Sequence, residues 1–319
     1  MNLNTQDLIA HMQACLGYSP REIKANGRWH DGGEGKNKNK LRYCVTEKTY
    51  VRQAGEVVTV TVCTYRDYRS ADVWHVWKSN EDRSYMSGEE LAKLRAEIAR
   101  KEREEEERQA KAAAEAARKA AFIWSKATKA DANHPYLRKK QIKPLGIRQW
   151  NGLLVIPMRN VKGELVGLQF INDEGNKRFL TGSPKKGAFC VIGASPSKIK
   201  SAWLCEGYAT GVSLLEAKGG AVVICFDCGN MAHLVDVLRE QHPDVELSVV
   251  GDDDRKTKGN PGRTVVAGIL EKHSDVRVMM PALPENAPIH ISDVNDLVVY
   301  RRQYGLPNGE VLIPLHAVH

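Results

Sequence analysis

The sequence predicts an α/β protein whose carboxy-terminal part, residues 201–319, is a mainly parallel sheet. Two observations carry this. Apolar runs of strand length at 202–205, 221–226, 246–250 and 275–280 alternate with helix-length segments at 208–218, 230–240, 262–273 and 293–304. Alternation at this spacing implies right-handed βαβ crossovers and a mainly parallel sheet of four strands. Acidic residues also gather where such a sheet binds ligands. Glu206-Gly207 follows Trp203-Leu204-Cys205, Asp252-Asp253-Asp254 follows Leu247-Ser248-Val249-Val250, and Asp293-Val294-Asn295-Asp296 opens the last helix. The crevice beyond the carboxyl ends of the strands is the ligand site of open α/β sheets.

Residues 1–87 read as a small β-rich domain. Leu3 to Leu16 suggests a short helix, and Gly27, Gly32, Gly33 and Gly35 mark a loop. The β-branched segments Leu41 to Thr46 and Val57 to Tyr65 predict strands, with a third at Val73 to Trp77. Residues 88–130 form a charged helical linker, without Gly or Pro between Gly88 and residue 125, and with Ser87 and Glu90 placed as a capping box. The helix would extend about 54 Å. Apolar positions are sparse from Lys101 to Lys119, so this stretch reads as a solvated spacer, its heptads being too poor for a coiled coil. Residues 131–200 predict an α+β unit with strands at 153–158, 165–171 and 189–192 and a cationic edge at Lys177, Arg178, Lys185 and Lys186. Residues 201–319 complete the chain, and Glu310 to His319 is placed to add an edge strand.

The 319 residues include 47 Lys+Arg and 39 Asp+Glu, a net charge of +8, which fits a polyanionic partner. Met1 to Gln13 lacks an apolar leader segment and no run of about 18 apolar residues exists, so neither secretion nor a membrane span is expected. The seven cysteines, an odd number, then read as reduced thiols in a cytoplasmic protein. A zinc ribbon needs paired ligands. Cys15, Cys44 and Cys63 are isolated, with only His11, His30 and His75 as extras, so zinc is not expected. Cys225 and Cys228 read as strand-end cysteines rather than a redox pair.

The acids have a definite chemistry. If the chain stays extended after residue 250, Asp252 and Asp254 share one face and Asp253 points outward. Joined by Glu206 from a neighbouring strand end, they make an oxygen site suited to Mg²⁺ or Mn²⁺. Without a cation, carboxylates gathered this way repel one another. This is the pattern of a metal-dependent enzyme acting on phosphates.

Glu206-Gly207, the pair Asp252 and Asp254, and Asp293-Val294-Asn295-Asp296 together resemble the Toprim domain shared by bacterial-type primases, topoisomerases and some nucleases. The likeness extends upstream. His134-Pro135-Tyr136-Leu137, Leu153 to Met158, Gly167 to Ile171, Lys177 to Gly182 and Lys186-Gly187 are similar to the lead-in of plasmid and phage primase cores. The resemblance covers roughly residues 120 to 304 and implies a Rossmann-like catalytic domain that makes short RNA primers on single-stranded DNA. It implies metal held by Glu206, Asp252, Asp254 and Asp296. It implies that a 3′-hydroxyl attacks the α-phosphate of a nucleoside triphosphate, with Glu206 as ligand or proton acceptor. Lys177, Arg178, Lys185 and Lys186 would contact phosphates. A separate helicase is implied as partner, since no G-x-x-x-x-G-K-[ST] sequence is present. A Toprim nuclease and a non-catalytic DNA-binding adaptor are the alternatives. Two residues depart from the usual pattern: Gly251, read here as giving the backbone freedom, and Asp253.

In the front domain Trp29, His30, Tyr43, Tyr50, Trp74 and Trp77 interleave with Lys36, Lys38, Lys40, Arg42, Arg66 and Arg69. Aromatics among cations stack on single-stranded bases. The same side chains also suit the core of a small domain. Trp29, His30, Arg42, Trp74 and Trp77 are the candidates for template binding.

Overall fold

The computed structural model describes residues 3–33, 37, 40–51, 57–67, 75–79, 88–194, 200–307 and 309–317. The chain divides into two compact units, Met1–Arg100 and Lys101–His319.

In the first unit helix α1 (Leu3–Leu16) accompanies strands β1 (Trp29–Gly32), β2 (Leu41–Val51), β3 (Val57–Asp67) and β4 (His75–Lys78). They form one sheet in the order β1-β2-β3-β4, every pair antiparallel. Period-two alternation puts Leu41, Tyr43 and Val45 of β2 on one face with Cys63 and Tyr65 of β3, and they pack against Leu8 and Met12 of α1. The predicted helix and the strands at 41–46 and 57–65 are present, while of the third, Val73 and Trp74 lie outside the described residues and β4 takes His75–Lys78. The glycine-bounded stretch read as loop also contains a strand, β1, whose four residues pair in register with Leu41 to Cys44.

Helix α2 (Gly88–Lys126) runs through the division between the units. Its described side chains from Arg103 to Lys111 are almost all exposed, as the charge run predicts. Ala116 and Ala120, spaced i and i+4, are buried, and Ile123 and Trp124 follow them against the next sheet. That sheet holds β5 (Thr128–Lys129), β6 (Arg148–Trp150), β7 (Leu153–Arg159), β8 (Leu165–Ile171) and β9 (Lys177–Phe179), in chain order and antiparallel. Val155, Leu168 and Phe170 face α2. Leu154, Ile156, Met158 and Ile171 face the main core with Tyr136 and Leu137 of the short helix α3 (Pro135–Lys140).

The third sheet holds β10 (Cys190–Ile192), β11 (Ser201–Cys205), β12 (Ala221–Ile224), β13 (Glu246–Val250), β14 (Arg277–Pro281) and β15 (Leu312–Pro314), in the order β10-β12-β11-β13-β14-β15. Its four central strands are parallel, as predicted. It has six strands rather than four, because β10 and β15 add antiparallel at the two edges. Each is three residues long, and a short strand paired antiparallel is a common way to finish a parallel edge. The tail strand is as expected, whereas β10 comes from the segment assigned to the lead-in unit. Helices α4 (Tyr208–Lys218) and α7 (Val294–Gln303) join the core of one face, and α5 (Cys228–Gln241) and α6 (Pro261–Lys272) that of the other. No helix among the described residues is long and apolar enough to cross a membrane.

Candidate active site

The acids come together because the chain leaves each central strand at the same end of the sheet. Backbone pairing of β11 with β12 continues past both strands: Cys225 N donates to Cys205 O (2.8 Å) and Phe226 N to Glu206 O (2.9 Å). Phe226 adopts φ 70°, an uncommon conformation for a bulky residue, and the next residue, Asp227, caps α5 by accepting from Asn230 N at 2.7 Å. After β13, Asp253 N donates to Ser292 O (2.7 Å), which brings the Asp252–Asp254 segment against the start of α7. There Asp293 is the N-cap, its Oδ1 accepting from Asp296 N at 2.8 Å.

Burial sets the electrostatics. It pushes Asp252 well above the ordinary aspartate range, with Asp293, Glu206 and Asp254 adding repulsion and Lys177 opposing it. Burial raises Asp293 too, helped by Asp296 and opposed by Lys140 and Lys177. Glu206 is pushed up to about 7, first by burial and then by Asp227, Asp254 and Asp293, against the pull of Lys177. Asp252 Oδ1 is buried and accepts no hydrogen bond. A buried oxygen without a donor, among carboxylates that burial makes hard to ionise, leaves an acceptor to which a hard cation could bind. Among the described residues no group of three His, Cys, Asp or Glu side chains stands ready to hold an ion by itself. Mg²⁺ does not require such a cage, since it usually keeps several waters and takes one or two carboxylates plus substrate phosphates. The residues present therefore fit a hard divalent ion.

The sequence reading needs correction at two points here. Asp253 does not face outward. It is buried, its Oδ1 accepts from Asn260 Nδ2 at 2.6 Å, and its Oδ2 lies 3.4 Å from Arg255 Nε. The chain turns from Arg255 onward, and the residues of that turn meet the extra charge: Arg255 and Asn260 both face Asp253. Gly251 is required for space rather than backbone freedom: an added Cβ would lie 2.9 Å from Val266 and 3.1 Å from Met280 Sδ. Gly262 serves the same end, letting α6 abut the carbonyl of Asp252, where a Cβ would stand only 2.2 Å away.

Asp254 Oδ2 accepts from Gly262 N at 3.3 Å, at the start of α6. Asp296 lies beside the centre but is held by Lys140, whose Nζ donates to its Oδ1 at 2.8 Å. Burial works against the charge on Lys140, yet Asp293, Asp296 and Asp252 together raise its pKa. Sequence reasoning placed Asp293 in the acidic cluster without naming it as a ligand, and missed Asp227 and Lys140. Asp293 was visible in the same acidic cluster as Asp296, while Lys140 lies 156 residues away in the chain with nothing to mark it.

The cationic edge borders the acids. The Nζ of Lys177 lies 3.5 Å from where a Cβ on Gly207 would stand, next to Glu206. The Arg178 guanidinium lies over Phe170 (5.7 Å) and Lys185 Nζ over Phe179 (4.7 Å). Lys177, Arg178, Lys185 and Lys186 are all exposed. In the first unit Arg42 stacks over Trp29 at 5.6 Å, and the His30 ring lies beside Tyr43. Trp77 packs at the margin of the core, and Trp74 lies outside the described residues.

Comparison with known proteins bears on this arrangement. The chain is 37% identical over 144 residues to a protein named DNA primase TraC from Escherichia coli, a match covering 41% of this chain. A second protein of that name and organism is 34% identical over 206 residues, covering 59% of this chain. The chain is thus similar in sequence to proteins named DNA primase TraC. It spans 13% of the length of each of these relatives. No family model matches. Solved structures similar to it include the primase fragment of the bacteriophage T7 primase-helicase protein, with a TM-score of 0.38, 14% identity and coverage of 53% of this chain and 70% of that one. Another is the RNA polymerase domain of Mycobacterium tuberculosis primase DnaG, with a TM-score of 0.37, 18% identity and coverage of 66% and 84%.

Proposed function

We propose that the chain is a DNA primase that makes short RNA primers on single-stranded DNA by metal-dependent nucleotidyl transfer. The observation that carries this is the orphaned, buried Asp252 oxygen among Glu206, Asp254 and Asp293 at the strand ends. The sequence relationship to DNA primase TraC supports it. Asp252, Asp254 and Asp293 would hold Mg²⁺ or Mn²⁺, with Glu206 beside them and Asp296 fixed by Lys140. When bound, the ion neutralises charge on the triphosphate.

The chain's own groups do the rest. Glu206, with its pKa near neutrality, accepts the proton of the attacking 3′-hydroxyl on its carboxylate. Lys177, whose charge reaches Glu206, Asp252 and Asp293, meets the phosphates of the incoming nucleotide and keeps the acids from repelling it. Arg178, Lys185 and Lys186 follow the nucleic-acid backbone. In the first unit the Arg42–Trp29 pair with His30 offers a stacking surface for single-stranded template. The protein works in the cytoplasm with a separate helicase, and it takes nucleoside triphosphates as substrates.

The test is incubation with single-stranded DNA and labelled nucleoside triphosphates, with Mg²⁺ or Mn²⁺ against EDTA. Short, RNase-sensitive products that require metal and vanish in Asp254→Asn are expected. Shortened template without products would make the chain a nuclease instead. DNA binding that is indifferent to metal, with neither product, would make it an adaptor.

A further inference from the structure

Lys185 and Lys186 sit on the loop between β9 and β10, and that loop is tied down at both ends. At its start Gly182, with φ +87°, lies so close to α2 that an added Cβ would be 2.8 Å from Ala112 O. At its end a single buried side chain from α5 holds it. Gly187 N donates to Asn230 Oδ1 (2.7 Å), and Asn230 Nδ2 donates to Ala188 O (2.8 Å) and to Cys225 O (2.7 Å). Asn230 is 5% exposed, so its amide is committed at both ends to backbone, two bonds on the loop and one on the end of β12.

The residues between these ties lead to the acids. Lys185 Nζ lies over the Phe179 ring, which meets Phe226 edge-on at 6.0 Å between centroids. Phe226 in turn bonds through its N–H to the carbonyl of Glu206. Phe226, at φ 70°, stands four residues before Asn230 and one before Asp227, the N-cap of α5. An apolar residue at 230 would fill the same space but leave Gly187 N–H and two carbonyls unsatisfied, and the loop free to move.

We infer that Asn230 is a positioning residue, which sets Lys185 and Lys186 at a fixed distance from the acidic centre to receive phosphate groups of a single-stranded nucleic acid. This rests on the primase reading. It adds a residue on helix α5, outside the loop that carries the lysines and with no charge of its own.

The experiment is a thermodynamic cycle on the full chain. A labelled single-stranded oligonucleotide is titrated by fluorescence anisotropy at several salt concentrations with wild type, Asn230→Asp, Lys185→Ala/Lys186→Ala and the triple variant. Loss of two phosphate contacts lowers the salt slope by about 1.4 and weakens binding roughly tenfold or more. Asn230→Asp is expected to reproduce most of that loss, and the triple variant to bind no worse than the double-lysine variant. In primer synthesis, Asn230→Asp should raise KM for template while kcat at saturation holds. Should Asn230→Asp melt below the assay temperature, Asn230→Ser replaces it in the same cycle. Additive losses, or wild-type binding by the Asn230 variant, overturn the positioning role and leave the primase reading intact. A wild-type chain that binds no oligonucleotide overturns both.

Discussion

The two sheets of residues 101–319 treat charge in opposite ways. The antiparallel sheet and the loop after it display Lys177, Arg178, Lys185 and Lys186 to solvent, where hydration makes each cation inexpensive to keep. The parallel sheet withdraws its acids from water, so that burial leads the causes of the raised pKa at Glu206, Asp252 and Asp293. Exposed cations can wait for a polyanion, and buried anions demand a counter-ion at once. Lys140 answers part of that demand at Asp296, and Arg255 with Asn260 answers it at Asp253. Asp252 is left with an oxygen that nothing in the protein satisfies. The difference singles out Asp252 as the acid whose neutralisation is least complete, with only the charge of Lys177 working in its favour.

The comparison breaks most visibly at Asp252. Asp252→Asn should lower primer synthesis by about a thousandfold, the loss of several kcal/mol of charge stabilisation. The metal-free variant should melt at a higher temperature than metal-free wild type, because a buried unpaired charge has gone. Calorimetry alongside the primer assay checks both, and a variant that loses stability and keeps activity would make the acid structural.

The pH dependence of stability sharpens the same contrast. A carboxyl harder to ionise in the fold than in the unfolded chain contributes stability that is present below its unfolded pKa and lost as pH rises through its folded one. For Glu206 that window runs from 4.5 to about 7. Metal-free protein should therefore melt progressively lower across this window, and Mg²⁺ should restore the loss at its upper end. A melting temperature that rises with pH in EDTA would contradict the assignment.

Lys140 gives a smaller effect. Lys140→Met removes the cation from Asp296 Oδ1, leaving only Ser292 N on its other oxygen, and should cost about 1.5–3 kcal/mol in urea unfolding, the worth of a hydrogen bond to a charged group. On the exposed side, Lys185→Ala/Lys186→Ala should change stability by less than about 0.5 kcal/mol, while weakening oligonucleotide binding. A large stability loss there would mean that these lysines are structural after all.

Much of the parallel sheet was legible because periodicity and chain order are local signals. Helix 208–218 and strand 246–250 match their predicted limits. Strands β5, β6 and β9 were not read, since two or three residues carry no alternation to detect. The acids of the site were visible as strand-end clusters, but their division of labour was not. Asp253 looked like surplus charge because its neutralising partners, Asn260 and Arg255, act only once the chain turns. Lys140 stands in a basic run, Arg138-Lys139-Lys140, of which only the structure shows the last member turned toward α7. Asn230 looked like any polar residue at a helix start, and two of its three side-chain hydrogen bonds, to Gly187 and Ala188, are purely tertiary.

The most direct test of the acidic centre is calorimetric titration of the full chain with Mn²⁺, compared with Asp252→Asn under the same conditions. Saturable binding by wild type that is lost in the variant is the predicted result. Equal binding by the two proteins, or none by wild type, would contradict a divalent-cation site at these strand ends.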